Sequence, residues 1–519
     1  MPRLLVRMTE PNISASRLLT TANSKPNSLL FRSASVTRSL IAALAIPLCL
    51  HAPAQAQNGR SLPETLEKSV LSHPEVQARY HDFLSVLEGK NIQRGGLLPN
   101  VSVEAKTGHE WRTGTGAEPA VNWSRHAYSV ELRQLIYDGS KTLNSVREQG
   151  FRKLSAYFTL LHTIDSVALE AGIAHLDVIR YRELERLARE NYEAHLDTHA
   201  QIQERQESGV GRGVDLSQSA GRLALAQANL MTESGNLNDV SQRYLRLVGD
   251  MPPPVLVDAP SFAEWLPARV DDFVAQLRSN PELLAKQALV QAGEAGVQVA
   301  KGNHSPVLEL RASGGKDRGQ PGTPYRDAHS ANVQLVLSYN LYRGGADQAR
   351  VRQTIAQEYA ARDVRDYTCR NIQQELAIAW NNITKLREQM PYLQEHVEAT
   401  TRVRTAYQQQ FQIGERSLLD VLDTENELFD ARRALANAQI DLRREEMRWL
   451  MRAHRLLPAL GLSQPYDAVP AEAGDLNFPD DVARRCASVL PDASRLRPVD
   501  VQYREAMKPP VLVHHKEVE

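Results

Sequence analysis

The pentapeptide Ser-His-Pro-Glu-Val at residues 72–76 returns as Ser-Asn-Pro-Glu-Leu at residues 279–283. Other matches keep nearly the same shift, among them Tyr-Asp-Gly at residues 137–139 with Tyr-Arg-Gly at residues 342–344, and Gly209 and Asp215 with Gly414 and Asp420. Self-similarity at one fixed shift indicates that a structural unit has been duplicated in tandem. The 519 residues therefore predict one pseudo-symmetric protein rather than several independent domains.

The duplication divides the chain into five segments. We predict an N-terminal extension and signal peptide at 1–56, a first repeat at 57–250, a proline-rich crossover at 251–266, a second repeat at 267–461 and a C-terminal tail at 462–519. The signal peptide is indicated by an apolar run at residues 39–50 that is followed by Ala-Gln-Ala at residues 54–56, which fits a cleavage site.

Composition narrows the function classes. The formal net charge is −1 and the arginines are spread along the chain, so no nucleic-acid partner is expected. After the signal peptide there is no apolar run of about 18 residues or more, so no membrane-spanning helix is predicted, and an exported chain of this kind is either soluble or a β-barrel. Cys369 and Cys486 are too few for a disulfide framework and are expected to be unpaired.

Each repeat contains two segments in which apolar and polar residues alternate, which predicts a β-hairpin at residues 100–136 and another at residues 307–341. Loops are expected at residues 112–124 and 314–329. Strands of about ten residues have the length of a tilted transmembrane strand, although a half-buried soluble hairpin is the alternative. Four strands cannot close a barrel and lipid does not tolerate an open edge, so the chain is expected to oligomerise. Three copies would give twelve strands, an even number within the usual range for such barrels.

The remainder of each repeat predicts very long helices. Residues from about 140 to 207 and from about 346 to 412 would each extend roughly 100 Å as a helix. The returning helix of the first repeat carries leucines seven residues apart, at Leu216, Leu223 and Leu230, and this spacing is typical of coiled coils. A coiled-coil scaffold would explain the helices but neither the alternating strands nor the signal peptide.

No catalytic constellation, cofactor motif or metal site is predicted, so the protein is not expected to be an enzyme. His195 and His199 have the i, i+4 spacing of a zinc pair, but the glutamate of the metalloprotease motif is absent. A solvated helix face is the favoured interpretation. The glycines at residues 209–213 predict a helix reversal rather than a phosphate-binding loop, because no strand precedes them.

Asp420 and Asp423 are the acidic residues with a candidate functional role. Three copies would bring both carboxylates into one ring that attracts cations, and crowding of like charges would raise the pKa of some of them. The alternative is structural, since an aspartate near a helix N-terminus is favoured by the helix dipole.

Residues 411–423, Phe-Gln-Ile-Gly-Glu-Arg-Ser-Leu-Leu-Asp-Val-Leu-Asp, resemble the second tip turn of the TolC family of outer-membrane channel proteins. The resemblance covers most of residues 60 to 462. It implies an α+β membrane protein in which a trimeric, twelve-stranded outer-membrane β-barrel, with four strands per chain, continues into a long α-helical barrel in the periplasm. The expected location is the outer membrane, in contact with its lipid.

The resemblance also implies roles for particular residues. Asp420 and Asp423 would form the periplasmic constriction, and Arg416, Asp215 and Phe411 would make the contacts that hold the gate closed. The tip turns would be at Gly209 and Gly414. Phe411 stands where the family often has tyrosine and Val214 where it often has threonine, so fewer gate hydrogen bonds are expected.

Within the family, residues 61–64 and 181–184 look most like the agglutination-protein branch, which serves type I secretion. This implies a homotrimeric export duct that works with an inner-membrane ABC transporter and a periplasmic adaptor, with a large adhesin-like protein as cargo. The alternative within the fold is the outer-membrane component of a tripartite drug or metal efflux pump. A rival from another class is a soluble periplasmic scaffold.

Overall fold

The computed structural model describes residues 59–113, 121–267, 278–318, 327–466, 468–480 and 482. All of them belong to the compact unit Gln57–Glu519. The predicted signal peptide and most of the predicted C-terminal tail lie outside the described residues. The boundaries that we predict for the two repeats and the crossover between them stay a prediction.

Besides two short 3-10 helices at Ala263–Trp265 and Ala471–Asp475, eight α-helices are assigned within the described ranges. They are α1 (Leu62–Ser72), α2 (Pro74–Gly95), α3 (Lys141–Glu207), α4 (Gly213–Val248), α5 (Pro281–Gly302), α6 (Ala346–Gln412), α7 (Leu418–Arg452) and α8 (Leu456–Ala459). The predicted long helices are confirmed, because α3 and α6 each run for 67 residues. No helix in these ranges is both long enough and apolar enough to cross a membrane.

The helix starts show how the duplicated sequence specifies duplicated structure. Pro74 and Pro281 occupy the first turns of α2 and α5, where their missing N–H and fixed φ suit a helix start. The preceding residues, His73 and Asn280, each accept a hydrogen bond from a backbone N–H of the first turn. The repeated pentapeptide that reveals the duplication is therefore a repeated N-terminal cap.

Four strands form one antiparallel sheet in the order β1-β2-β3-β4. They are β1 (Asn100–Arg112), β2 (Val121–Tyr137), β3 (Val307–Arg318) and β4 (Asp327–Ser338). The two predicted hairpins are thus confirmed and are joined through β2 and β3. The strands of the second hairpin extend into residues that were predicted as a loop: β3 continues to Arg318 and β4 begins at Asp327. The strands are longer than predicted because backbone pairing persists through the glycine-rich residues. Strand β4 ends at Ser338 rather than at residue 341.

The two faces of the sheet differ in polarity. Register places Val103 opposite Val130 and Leu310 opposite Leu335, so their apolar side chains share one face. The other face carries ion pairs, including one between Arg133 and Glu131 at 2.7 Å and one between Arg311 and Glu309, also at 2.7 Å. Alternation of this kind is typical of strands with lipid on one side and an aqueous lumen on the other.

The long helices form two hairpins, α3 with α4 and α6 with α7, and α3 also packs against α5 and α7. The main hydrophobic core lies where these helices meet α1, and its largest fully buried side chains include Trp449, Leu154 and Ile372. This core lies away from the two turns, which are served by a small separate cluster. The turns are therefore held by a few local contacts.

The described part of the predicted C-terminal tail contacts helices α2 and α3. Tyr466 stacks on Tyr80 of α2 with ring centroids 4.3 Å apart. Glu472 pairs with Lys90 of α2 and with Lys153 of α3. Cys369 of α6 is disulfide-bonded, so the expectation of unpaired thiols is wrong for this residue. The other two cysteines of the chain lie outside the described residues.

The Glu472 pairs predict a pH-dependent attachment. Burial alone would raise the pKa of Glu472, but hydrogen bonds from Lys153 and Lys90 lower it to about 2. A carboxyl whose pKa falls on folding stabilises the folded state above its ordinary pKa of 4.5, and that contribution is lost as pH falls towards 2.

We expect Glu472→Gln to reduce amide hydrogen-exchange protection of Ala471–Asp475 by about tenfold at pH 7, which is about 1.4 kcal/mol after allowance for solvent screening. The ratio of protection between wild type and variant should approach one as pH falls from 4.5 towards 2. Asp480→Asn is the matched control, because Asp480 forms only an exposed pair with Arg278 in the same segment. Equal protection in wild type and Glu472→Gln at pH 7 would contradict the argument.

Candidate functional site at the two helical turns

The two hairpins end in turns with the same backbone geometry. Gly209 and Gly414 have φ values of +78° and +80°, in the left-handed region that glycine adopts without steric cost. In the first turn, the N–H of Val210 donates to the carbonyl of Arg205 at 3.0 Å, and in the second the N–H of Glu415 donates to the carbonyl of Gln410 at 2.9 Å. These bonds satisfy carbonyls at the ends of α3 and α6.

The helices that leave the two turns start differently. Ser417 caps α7, since its hydroxyl accepts from the N–H of Asp420 and the Asp420 carboxylate accepts from the N–H of Ser417. The equivalent cap of α4 is Arg212, which makes no side-chain cap bond. Ser417 holds the carboxylate of Asp420, whereas in the described part of the chain no serine holds the carboxylate of Asp215 in the same way.

Asp420 is a charged helix starter within a single chain. Hydrogen bonds from the hydroxyl and the backbone N–H of Ser417 lower the pKa of Asp420, and Arg416 lowers it further from 3.9 Å. This is opposite in direction to the raised values that the sequence led us to expect. Crowding among three copies is a separate effect and stays a prediction.

Asp423 is exposed, one turn farther along α7. Its carboxylate accepts a hydrogen bond from Arg222 of α4 at 2.6 Å. The pair joins the returning helix of one hairpin to the returning helix of the other. The two predicted ring carboxylates thus have different surroundings, because Asp420 is bound to its own helix start and Asp423 to the neighbouring hairpin.

Arg416 makes its intrachain contacts within the α6–α7 hairpin. Its guanidinium lies over the ring of Tyr407, 4.3 Å from the centroid, and donates to the side-chain oxygen of Gln410 at 3.0 Å. These contacts hold the arginine at the outer end of its own turn. Its predicted contact with Asp215 of a neighbouring hairpin stays a prediction.

Phe411 links the two hairpins without a hydroxyl group. The guanidinium of Arg205, from α3, lies 4.7 Å from its ring centroid, a distance at which cation–π attraction is effective. Phe411 also packs on the small cluster of Ile202, Leu418 and Leu422. The phenylalanine at position 411 cannot donate the hydrogen bond that a tyrosine could, but its ring makes a cation–π contact with Arg205 instead.

The sequence did not identify Arg205 or Arg222 as site residues. Arg205 contacts Phe411 and Arg222 contacts Asp423, and in each case the partner belongs to the other hairpin. The partners are about 200 residues apart in sequence, for example 201 residues between Arg222 and Asp423. Neither arginine belongs to a recognisable local motif. Arg205 is four residues before Gly209, but Arg222 is thirteen residues after it, so closeness to the turn was a signal for Arg205 only.

The two histidines with zinc-like spacing lie in different environments. The Nε2 atom of His195 lies 3.3 Å from the Asn426 side-chain oxygen on α7, whereas His199 Nδ1 lies 2.9 Å from the hydroxyl of Ser219 on α4. Within the described residues, no cluster of three or more potential metal ligands is present. The turns present carboxylates, guanidinium groups and apolar side chains, and this set suits cation attraction and protein contacts rather than bond-making chemistry.

Comparison with known proteins agrees with this geometry. The family described as "Outer membrane efflux protein" matches residues 274–448. The outer membrane efflux protein BepC of Brucella suis is 24% identical over 63% of this chain and 72% of that protein. The outer membrane protein TolC of Escherichia coli is 23% identical over 74% of this chain and 80% of that protein. The alkaline protease secretion protein AprF of Pseudomonas aeruginosa is 21% identical over 71% of this chain and 79% of that protein.

The fold is shared with solved outer-membrane channels. The outer-membrane channel OprN aligns with a TM-score of 0.69 at 20% sequence identity, over 76% of this chain and 90% of that one. Channels of this type are homotrimers that work with an adaptor and an inner-membrane transporter, with the helical tunnel in the periplasm. With its four strands, paired helical hairpins and glycine turns, the chain is similar to the TolC family of outer-membrane channel proteins, which are not enzymes, and the family match and these relatives support its assignment to that family.

Proposed function

We propose that the protein is the outer-membrane export duct of a type I secretion system. In this role it passes a large adhesin-like protein from an inner-membrane ABC transporter and a periplasmic adaptor to the cell exterior. The observation that carries the proposal is the pair of acid-bearing turns at the ends of two long helical hairpins. A closable acidic entrance at the end of a tunnel suits a passive duct.

The dimensions of the hairpins support a duct that crosses the periplasm. Helices α3 and α6 have 67 residues each, which corresponds to about 100 Å at 1.5 Å per residue. The sheet continues from the far ends of these helices and presents ion pairs on one face. A single passage from turn to sheet would therefore be lined by helices first and by polar strand residues afterwards.

The turns themselves offer a docking surface for an adaptor. Val210, Val214 and Ile413 are 83%, 76% and 71% exposed, and they lie at or beside the two reversals. Exposed apolar side chains surrounded by charged ones are typical of protein contact sites. Docking there would act directly on the contacts that hold the hairpins together.

Secretion is favoured over efflux by two observations. Residues 61–64 and 181–184 look most like the agglutination-protein branch, and AprF, a relative over most of its length, is named for protease secretion. The name of BepC supports the efflux alternative. The two functions differ in cargo, so a cellular experiment separates them.

Deletion of the gene should abolish surface display of a large secreted adhesin and reduce surface attachment, while drug sensitivity changes little. The reason is that a dedicated duct is the last obligatory passage for its cargo. Adhesin display is measured by antibody labelling of intact cells, and drug sensitivity by growth inhibition. Normal display together with strong drug hypersensitivity would replace this proposal with the efflux function.

Replacing Asp420 and Asp423 together by alanine should weaken cation preference in planar bilayers and reduce the affinity of block by a trivalent cation by about tenfold or more. The physical reason is the loss of the acidic ring that concentrates cations at the entrance. Asp430→Ala, which removes an exposed carboxylate about 10 Å farther along α7, is the control and should leave selectivity and block unchanged. Unaltered selectivity would mean that both aspartates serve only to start α7.

Replacing Arg416 by serine should raise single-channel conductance without altering trimer assembly. An exposed charge pair contributes on the order of 1 kcal/mol, but three copies act on one closing equilibrium and together shift it by roughly a hundredfold. Arg212→Gln, which removes a charge from the first turn, is the control and should leave conductance near the wild-type value. Conductance of Arg416→Ser equal to wild type would place the gate elsewhere.

A further inference from the structure

We propose that Arg222 is a further selectivity-determining residue of the entrance. In the resting state its guanidinium neutralises Asp423, so that the acidic charge of the ring comes mainly from Asp420, whose pair with Arg416 is longer, at 3.9 Å. Separation of the hairpins then frees Asp423 and increases the negative charge of the ring. The inference rests on the proposed function and concerns the regulation of the same site.

The contact geometry supports a specific pair. Arg222 Nη2 lies 2.6 Å from Asp423 Oδ1, within the range of charge-assisted hydrogen bonds. The two side chains belong to α4 and α7, which are the returning helices of different hairpins. Any movement that separates these helices must therefore break the pair, whereas the Ser417 bonds of Asp420 lie within one hairpin and would survive.

The duplication provides an internal comparison. By the shift that relates the two turns, the position equivalent to Arg222 is Glu427 and the position equivalent to Asp423 is Gln218. These two residues carry no opposite charges, so the duplicated architecture does not by itself require an ion pair here. The pair is a property of one junction between the hairpins and is suited to a task at that junction.

Exposure suits a reversible contact. The side chains of Arg222 and Asp423 are 32% and 55% exposed, so the pair is screened by water and contributes little to holding the fold. The pair matters more for the electrostatic potential at the entrance than for the stability of the fold. Each pair removes one negative charge from a narrow entrance, and three copies act together. Docking of a partner at the turns can therefore break the pair at low cost.

The test is ion permeation through the full-length trimer in planar bilayers. Arg222→Gln should shift the reversal potential in a KCl gradient towards greater cation preference and tighten block by a trivalent cation by about tenfold. Arg222→Lys should behave as wild type, because it keeps the charge. Asp423→Asn leaves the Arg222 charge uncompensated and should weaken block, whereas the double variant Arg222→Gln/Asp423→Asn, which removes both charges of the pair, should return selectivity and block to the wild-type level.

Arg432→Gln is the matched control, because Arg432 forms a similar half-exposed pair with Glu190 at 3.4 Å, about 13 Å farther along α7. It should leave selectivity unchanged. If wild type conducts and is blocked but Arg222→Gln changes neither selectivity nor block, the role of Arg222 is overturned and the duct stands. If wild-type trimers do not conduct at all, the duct is overturned and this inference with it.

Discussion

The unpaired edges of the sheet are the constraint on which the rest of the protein depends. Strands β1 and β4 form the two edges of a four-stranded sheet whose apolar side chains share one face. An open edge in lipid leaves backbone N–H and C=O groups without partners at a cost of several kcal/mol each. Closure by other copies, as in the homotrimers of this family, removes both edges at once. In a homotrimer of this kind, the helical turns would occur in three copies because the strands require it.

This triplication makes weak contacts useful. The core around Trp449 and Leu154 fixes the hairpins far from the turns, whereas the turns depend on a small apolar cluster, two cation–π contacts and a few exposed ion pairs. One exposed pair contributes too little to hold a gate. In the proposed duct, three equivalent pairs that break together would give a closed state that is stable at rest and that a docked partner could open. Strong buried pairs at the turns would oppose that opening.

Sequence reasoning predicted the fold well and the site in part. Alternation and the fixed shift predicted β1 to β4, the lengths of α3 and α6, and the reversals at Gly209 and Gly414, because each of these depends on local pattern. Arg205 and Arg222 were missed because their partners come from another hairpin. The lowered pKa of Asp420 and the disulfide of Cys369 were missed for the related reason that a neighbour in space, or a helix cap, decides the chemistry.

Departures from the duplication mark where the two halves have separate tasks. Gly249 ends α4 with a φ of +89°, and its equivalent after α7 is His454, which holds a φ of +56° despite its side chain. Such a conformation is disfavoured by roughly 1 kcal/mol or more for a residue with a Cβ. His454 compensates with a 2.5 Å contact to the carboxylate of Asp165, which is nearly fully buried on α3.

At the opposite end, Ser417 caps α7 whereas Arg212 leaves α4 uncapped, so the second hairpin is anchored at both ends of its returning helix. Two identical hairpins would respond identically to a docked partner. In the proposed duct, a returning helix that is held at both ends beside one with an uncapped start would let a docked partner act differently on the two hairpins.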